Sequence, residues 1–402
     1  MTASESAISS RVAAIPESAT LAVTAKAKAM KAAGEDVIAF AAGEPDFDTP
    51  TFIKDVAVEA LRAGKTKYAP VPGTPELRQA ICDKLERENG LEYTPSEIVV
   101  SCGAKHSLFN AVLTLVSEGD EVLIPAPYWV TYPEQVRFAG GVPVPVETKP
   151  GEGFRLRPEA VENAVRKGRT KLLILNSPCN PTGAVYDEAT LKAVADILIA
   201  NDVYVISDEI YEHLIYGGRK HVSIFGVAGM KERGVLVNGM SKAYAMTGWR
   251  IGYTAAPKAW TDAMKRLQSQ STSGITTFVQ PAGAAALTGD QSDVEKMRVA
   301  FEKRRGVIIG RVKAIPLLDC TEPEGAFYLM VNVEKLIGKT VAGKKLTSAT
   351  DLCLLMLDKI KVAAIPGEPF GAPDWVRFSY ACSEDTIHKG FDRIARLLED
   401  VT

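Results

Sequence analysis

Six short apolar runs, set apart by polar or helix-patterned stretches, limit what this chain of 402 residues can fold into. They occupy residues 97–101, 121–125, 171–176, 203–207, 234–238 and 250–254. The runs are continuous rather than alternating, and all but the last are rich in Val, Ile and Leu. Strands of that kind are buried on both faces, which requires helices above and below a sheet. Residues 104–116 and 187–200 carry the helical pattern that such crossovers need. The alternation predicts an α/β chain built on a mainly parallel sheet.

Toward the C-terminus the texture changes. A long charged helical pattern over residues 293–314 leads into alternating runs at 325–333, 361–365 and 375–380, then an amphipathic helix near 384–398. This predicts a separate α+β unit. Near the start, residues 24–33 have a helical pattern and residues 40–50 (FAAGEPDFDTP) are rich in turn formers. Internal repeats, low-complexity tracts and long linkers are absent. The expected division is a large domain over residues 53–295 and a smaller domain built from 1–52 with 296–402.

The 47 Lys and Arg against 49 Asp and Glu leave a net charge of −2. That argues against nucleic acid or an anionic membrane as partner, since both attract a basic excess. No apolar run reaches the roughly 18–20 residues of a membrane span. Residues 1–10 lack the charged-then-apolar order of a secretory signal. The six cysteines are scattered, with no Cys-x-x-Cys pair. Reduced thiols and a cytoplasmic setting are therefore expected.

Several local patterns fail on inspection. GKTVAGKK, residues 338–345, places Lys345 where a phosphate loop needs Ser or Thr, and no clear strand precedes it. There is no G-x-G-x-x-G for a dinucleotide. GMSKA around Ser241 lacks the second glycine of a nucleophile elbow. His106, His213, His221 and His388 have no metal-ligand spacing, so no metal is expected.

Four segments that follow apolar runs carry chemistry, because α/β folds gather ligands at the carboxyl ends of their strands. SKAYAMTGWR (241–250) places Lys242 just past a run, where burial and nearby positive charge lower an amine's pKa and make it nucleophilic. Ser241 and Arg250 flank it with groups suited to a phosphate. VYVISDEIY (203–211) ends its run at Asp208, costly to bury without a cationic partner, with Tyr211 three residues on. NSPCNPTG (176–183) presents the Asn180 amide, and SCGAKH (101–106) leads from a strand into a helix whose first N–H groups, near Gly103 and Ala104, form an anion cup. Pyridoxal phosphate needs such a set: an imine-forming Lys, an acid beside the pyridine nitrogen, donors near the ring oxygen, a phosphate cup and an aromatic face.

With PAPYWVTYPE, AGEPDFDTP and TKYAPVPGTPELR, these segments resemble the class I, fold-type I pyridoxal-phosphate aminotransferases over nearly the whole chain. The sequence is most similar to the bacterial aspartate aminotransferases that lack a second substrate arginine. The resemblance implies a seven-stranded, mainly parallel sheet and roles residue by residue. Lys242 is the Schiff-base lysine and proton shuttle. Asp208 pairs with the ring nitrogen, Tyr211 and Asn180 meet the ring oxygen, and Trp129 stacks on the ring. Ser241, Arg250, Gly103 and Ala104 hold the phosphate, joined by Tyr68 from the neighbouring subunit of a homodimer. Arg377 clamps the substrate α-carboxylate, with a backbone contact at Gly43. Lys105 meets the distal carboxylate of a dicarboxylic substrate, near Thr20 in the segment that closes over the site.

The family's Gly-Gly-Lys-Gln segment here carries Ala104 for the second Gly and His106 for Gln. Those departures bear on the preference for aspartate. The reaction implied is L-aspartate plus 2-oxoglutarate giving oxaloacetate plus L-glutamate, by a ping-pong course. Alternatives are prephenate, arogenate or aromatic amino acids as substrates, since Lys105 with Thr20 suits a carboxylate on a larger molecule. More distant are a β-lyase releasing pyruvate and ammonia, a cofactor-sensing regulator, for which the chain has no spare DNA-binding domain, and a nicotinamide oxidoreductase lacking its glycine fingerprint.

Overall fold

The computed structural model describes residues 7–17 and 19–402. Seven strands form the main sheet: β1 (Ile98–Cys102), β2 (Glu121–Ala126), β3 (Val142–Glu147), β4 (Thr170–Asn176), β5 (Tyr204–Asp208), β6 (Gly234–Gly239) and β7 (Ile251–Ala255). Their order across the sheet is β1-β7-β6-β5-β4-β2-β3. All neighbours run parallel except β7, which is antiparallel to both β1 and β6. The six runs anticipated from sequence coincide with six of these strands to within a residue. The seventh, β3, has the sequence VPVPVE and is half-exposed. Two prolines are tolerated there because a terminal strand pairs on one side only.

Alternate side chains of the sheet enter two cores. On one face Val99, Leu172, Ile174, Ile206, Val235 and Val237 pack against Leu108 and Val112 of the helix Ala104–Leu115. On the other, Val100, Leu173, Leu175, Val205 and Leu236 pack against Leu77, Ile81, Leu191 and Leu198. Burying both faces explains the continuous runs: each side chain has an apolar partner whichever way it points.

The C-terminal part has its own core around an antiparallel sheet of Ile365–Pro366, Trp375–Ser379, Tyr328–Asn332 and Asp319–Cys320, in that order. The helices Ser292–Lys313, Ala349–Ile360 and Glu384–Leu397 cover it. Residues Ile38–Ala39 pair in parallel with Val362–Ala363, so the N-terminal segment is stitched to the C-terminal part. Phe40 extends that stitch, its ring 5.6 Å from Phe378 and 5.8 Å from Phe391. Residues 338–345 form a small hairpin, Thr340–Val341 against Lys344–Lys345, with no helix to receive a phosphate. Among the described residues no helix is long and apolar enough to cross a membrane.

Candidate active site

Adjacent parallel strands bring the motif segments to one edge. Asn176, last in β4, lies in register with Asp208, last in β5. Beyond β6 the chain turns directly into Ser241 and Lys242. A cleft of about 1130 Å³ opens over these strand ends, between the main sheet and the C-terminal part. It is lined by Asn180, Asp208, Tyr211, Ser241, Lys242 and Arg250 from the large sheet's loops. Ala104, Lys105 and Trp129 line it too, as do Gly43, Thr20 and Arg377 from the N- and C-terminal segments. Of the residues singled out from sequence, only Gly103 and Tyr68 lie outside this lining. Gly103 sits at φ +81°, and a Cβ there would fall 2.5 Å from Arg250 Nη2, so it leaves room for that guanidinium. Tyr68 is fully exposed, apart from its own chain's cleft.

Lys242 is buried in this cleft, its Nζ donating to Gly43 O and standing 5.8 Å from the ring centroids of Tyr211 and Phe327. Burial pushes its amine down to about 8, with Arg377 and Arg250 adding to the fall and Glu44 and Asp208 opposing it. Asp208 has the opposite problem. Burial raises its carboxyl to about 6, against hydrogen bonds from Tyr132 Oη at 2.7 Å and the Ile210 N–H at 3.3 Å. Its donors are neutral, so a cation placed before it would be stabilised and would draw its pKa back down.

Two further positive groups face the cleft without an anion. Arg377 is 1% exposed, yet its guanidinium donates only to neutral oxygens, Asn180 Oδ1 at 2.9 Å and Ala41 O at 3.2 Å. Its Nε has no partner among the described residues, and the rings of Tyr328 and Phe370 flank it at 4.4 and 5.0 Å. Arg250 likewise donates to the carbonyls of Thr247 and Cys102. It stands beside the first turn of Ala104–Leu115, where intrahelical bonding starts with the N–H groups of His106 and Ser107 on Gly103 O. The N–H groups of Ala104 and Lys105 are thus free for an anion, at the positive end of the helix. Lys105 Nζ lies 4.8 Å from the Trp129 ring, and burial lowers its amine, helped by Arg250.

A phosphate at Arg250 and the helix start, a cationic ring nitrogen at Asp208 and an aldehyde at Lys242 would each meet the group that complements it. The residues present therefore fit pyridoxal phosphate.

Sequence reasoning missed Tyr132 and Tyr328. Tyr132 secures Asp208, and its ring meets Trp129 edge to face at 5.4 Å. Tyr328 Oη is 2.9 Å from Tyr211 Oη, and burial, with Tyr328 beside it, raises the Tyr211 phenol well above its ordinary range. Tyr132 stood within the PAPYWVTYPE segment, three residues past Trp129, where a polar aromatic facing the same cleft was the available signal. Tyr328 had none beyond an apolar run.

Residues 35–394 match the family described as aminotransferase class I and II. This chain belongs to it. Among class I and II aminotransferases it is 49% identical to a probable aspartate/prephenate aminotransferase of Aquifex aeolicus, over 98% of this chain and 99% of that one. It is 48% identical to an aspartate aminotransferase of Geobacillus stearothermophilus, with the same coverage. The solved aspartate aminotransferase of Thermus thermophilus with maleate superposes with a TM-score of 0.92 at 46% identity, covering 97% of this chain and 99% of that one. The family uses pyridoxal phosphate and acts on amino acids and oxo acids, in keeping with the charges left open in the cleft.

Proposed function

We propose that this chain is a pyridoxal-phosphate-dependent aspartate aminotransferase that converts L-aspartate and 2-oxoglutarate to oxaloacetate and L-glutamate. The observation that carries this is the pairing, in one cleft, of a buried lysine amine held near 8 with a buried guanidinium that faces no carboxylate. The names of its relatives, aspartate and aspartate/prephenate aminotransferase, support the substrate.

Pyridoxal phosphate, when bound, supplies an electron sink in conjugation with the substrate α-carbon. Arg377 binds the α-carboxylate through its fork and fixes which substituent lies over Lys242. Lys242 Nζ takes the α-proton as a base near neutrality and returns it on the other side of the exchange. Asp208, held by Tyr132, keeps a negative charge against the ring nitrogen, while Asn180 and Tyr211 donate at the ring oxygen. Ser241, Arg250 and the N–H groups after Gly103 hold the phosphate, and Trp129 covers the ring face. Lys105 and Thr20, whose buried hydroxyl has no partner among the described residues, receive the distal carboxylate.

The division into a domain of residues 53–295 and one of 1–52 with 296–402 gives the cleft two walls that close on substrate and exclude water. Full exposure of Tyr68 suits a residue that completes the site of a second copy, so the working unit is a homodimer. We place it in the cytoplasm.

The test is the visible spectrum of the purified protein with cofactor, before and after adding L-aspartate without an acceptor. The band of the bound cofactor should shift to that of its aminated form. No band after supplying pyridoxal phosphate would overturn the roles of Lys242 and Asp208. A second reading is favoured by the cleft's size, about 1130 Å³, and by Lys28, Thr386 and Lys389, which line it together with Lys105. On that reading arogenate serves as amino donor and prephenate as acceptor: only arogenate or an aromatic amino acid shifts the band, and prephenate reverses the shift.

A further inference from the structure

Behind Asp208 and Tyr211, on the side away from the cleft, lies a buried polar network that the proposed reaction does not use. In the segment from Asp208 to Glu212, residues 208 and 211 line the cleft, whereas Glu209 and Glu212 point into this network. Glu212 is its hub. One carboxylate oxygen accepts from Lys84 Nζ and from Asn238 Nδ2, the latter at 2.6 Å; the other accepts from Asn89 Nδ2 at 2.9 Å. Lys84 is 1% exposed and also donates to Asn89 Oδ1 at 2.8 Å. Asn238 sits in β6, four residues before Lys242, and its own Oδ1 accepts from the Gly239 N–H at 2.7 Å. Glu209 accepts from Ser207, Ser223 and His221 at 2.7–2.8 Å.

Glu209, Glu212 and His221 bring ligand-type atoms within 4.8 Å of one another, a spacing that suits a metal. Protein donors already occupy both carboxylates, and Glu212 carries its countercharge in Lys84. Burial works against ionisation of Glu212, but Lys84 and the neighbouring histidines outweigh it and hold the carboxyl well below the usual range. The cluster is therefore closed by its own chain.

We propose that Glu212 is a positioning residue. Through Asn238 it fixes the distance between the segment bearing Asp208 and Tyr211 and the segment bearing Lys242, while Lys84 anchors it to the helix Pro75–Asn89. A buried ion pair is poor at adding stability but good at specifying one arrangement, since any shift strands a charge. Proton transfer needs Lys242 and the ring nitrogen's partner held to a fraction of an ångström, and two strand ends alone leave side-chain freedom. Arg377, on the other sheet, donates to Asn180 and Ala41 and makes no hydrogen bond to this network, so substrate carboxylate binding should change little.

The inference rests on Lys242 and Asp208 acting as proposed above. Wild-type half-reaction with aspartate tests that separately: if it fails, the function falls, whereas an active wild type with unaffected variants overturns only the positioning role. In the holoenzyme, Glu212→Ala should lower kcat at least tenfold with KM for aspartate within twofold. Its Kd for pyridoxal phosphate should rise fivefold or more. The double variant Lys84→Met with Glu212→Gln keeps an acceptor for Asn238 and should recover most of kcat. Leu198→Ala, in the same large core but away from the network, should leave kcat and cofactor Kd near wild type at a comparable loss of Tm. Glu212→Ala that folds with wild-type kcat and cofactor Kd overturns the proposal. If Glu212→Ala does not fold, Asn238→Ala decides, because it leaves the ion pair intact: kcat down severalfold at unchanged KM supports positioning, and unchanged kcat overturns it.

Discussion

Asn180 Oδ1 accepts a hydrogen bond from Arg377 Nη1 at 2.9 Å, joining the loop after β4 to the middle of the smaller sheet. One amide thus stands between the place proposed for the cofactor ring oxygen and the place proposed for the substrate carboxylate. Its backbone N–H is itself held by Asn176 Oδ1 at 2.7 Å, which leaves the side chain little freedom. Asn180→Ala should therefore damage two steps at once: weaker retention of pyridoxal phosphate and a higher KM for the amino acid. Each loss should be on the order of 1–3 kcal/mol, the range for stripping a partner from a buried polar group. Cofactor titration and steady-state kinetics on one preparation check this, and a change in only one of the two would contradict the shared role.

Arg377→Ala should raise KM for every amino acid tested, by an amount on the order of the 2–5 kcal/mol that a buried charge pair carries. The comparison that matters is between aspartate and an amino acid without a side-chain carboxylate. Equal losses support α-carboxylate binding; a loss confined to dicarboxylic substrates would assign the distal carboxylate to Arg377 instead.

The burial that holds Lys242 near 8 gives a pH dependence of definite sign. Below that value the amine is protonated and inert; above it the neutral amine predominates and attacks carbonyls. In protein freed of cofactor, the rate at which Lys242 reacts with added pyridoxal phosphate should rise with pH through about 8 and then level. An exposed lysine, titrating near ~10.4, would still be gaining at that point. Lys242→Ala should show no such reaction and no turnover. Stopped-flow absorbance across pH reads the midpoint, and a midpoint near that of free lysine would contradict the buried environment.

Tyr68 offers a test of shared sites. Tyr68→Ala and Lys242→Ala homodimers should each be impaired, the second completely. Mixed dimers formed from the two chains should regain activity, since one of the two sites then holds an intact Lys242 and receives an intact Tyr68. Absence of recovery, with mixed dimers demonstrated by native mass spectrometry, would rule out a contribution from the neighbouring subunit.

Much of this site was legible in the sequence because its parts lie just past strand ends, where an apolar run stops at a polar residue that burial would otherwise penalise. Asp208 after VYVIS and Lys242 after GVLVN are such cases. Strand β3 was not legible as a run, because prolines interrupt its pattern and its side chains are half-exposed. Tyr132, Tyr328 and the Lys84–Glu212 pair were hidden for a different reason. Their partners lie 76, 117 and 128 residues away, so only the folded chain shows that these polar groups meet. A tyrosine or lysine inside an ordinary amphipathic pattern carries no local mark of such a partner.

The edge strand β3 has a consequence for how copies of this chain can meet. Proline has no N–H to offer, and the pairing of Val142–Glu147 with Glu121–Ala126 runs unbroken through Pro143 and Pro145, so the missing donors fall on the open side. A strand from another molecule arriving there would find a ladder with rungs removed. Growth of the sheet from chain to chain, the route by which exposed edges seed aggregates, is closed at this border. At this border self-association is left to side-chain surfaces, where it can be selective and can stop at a finite assembly.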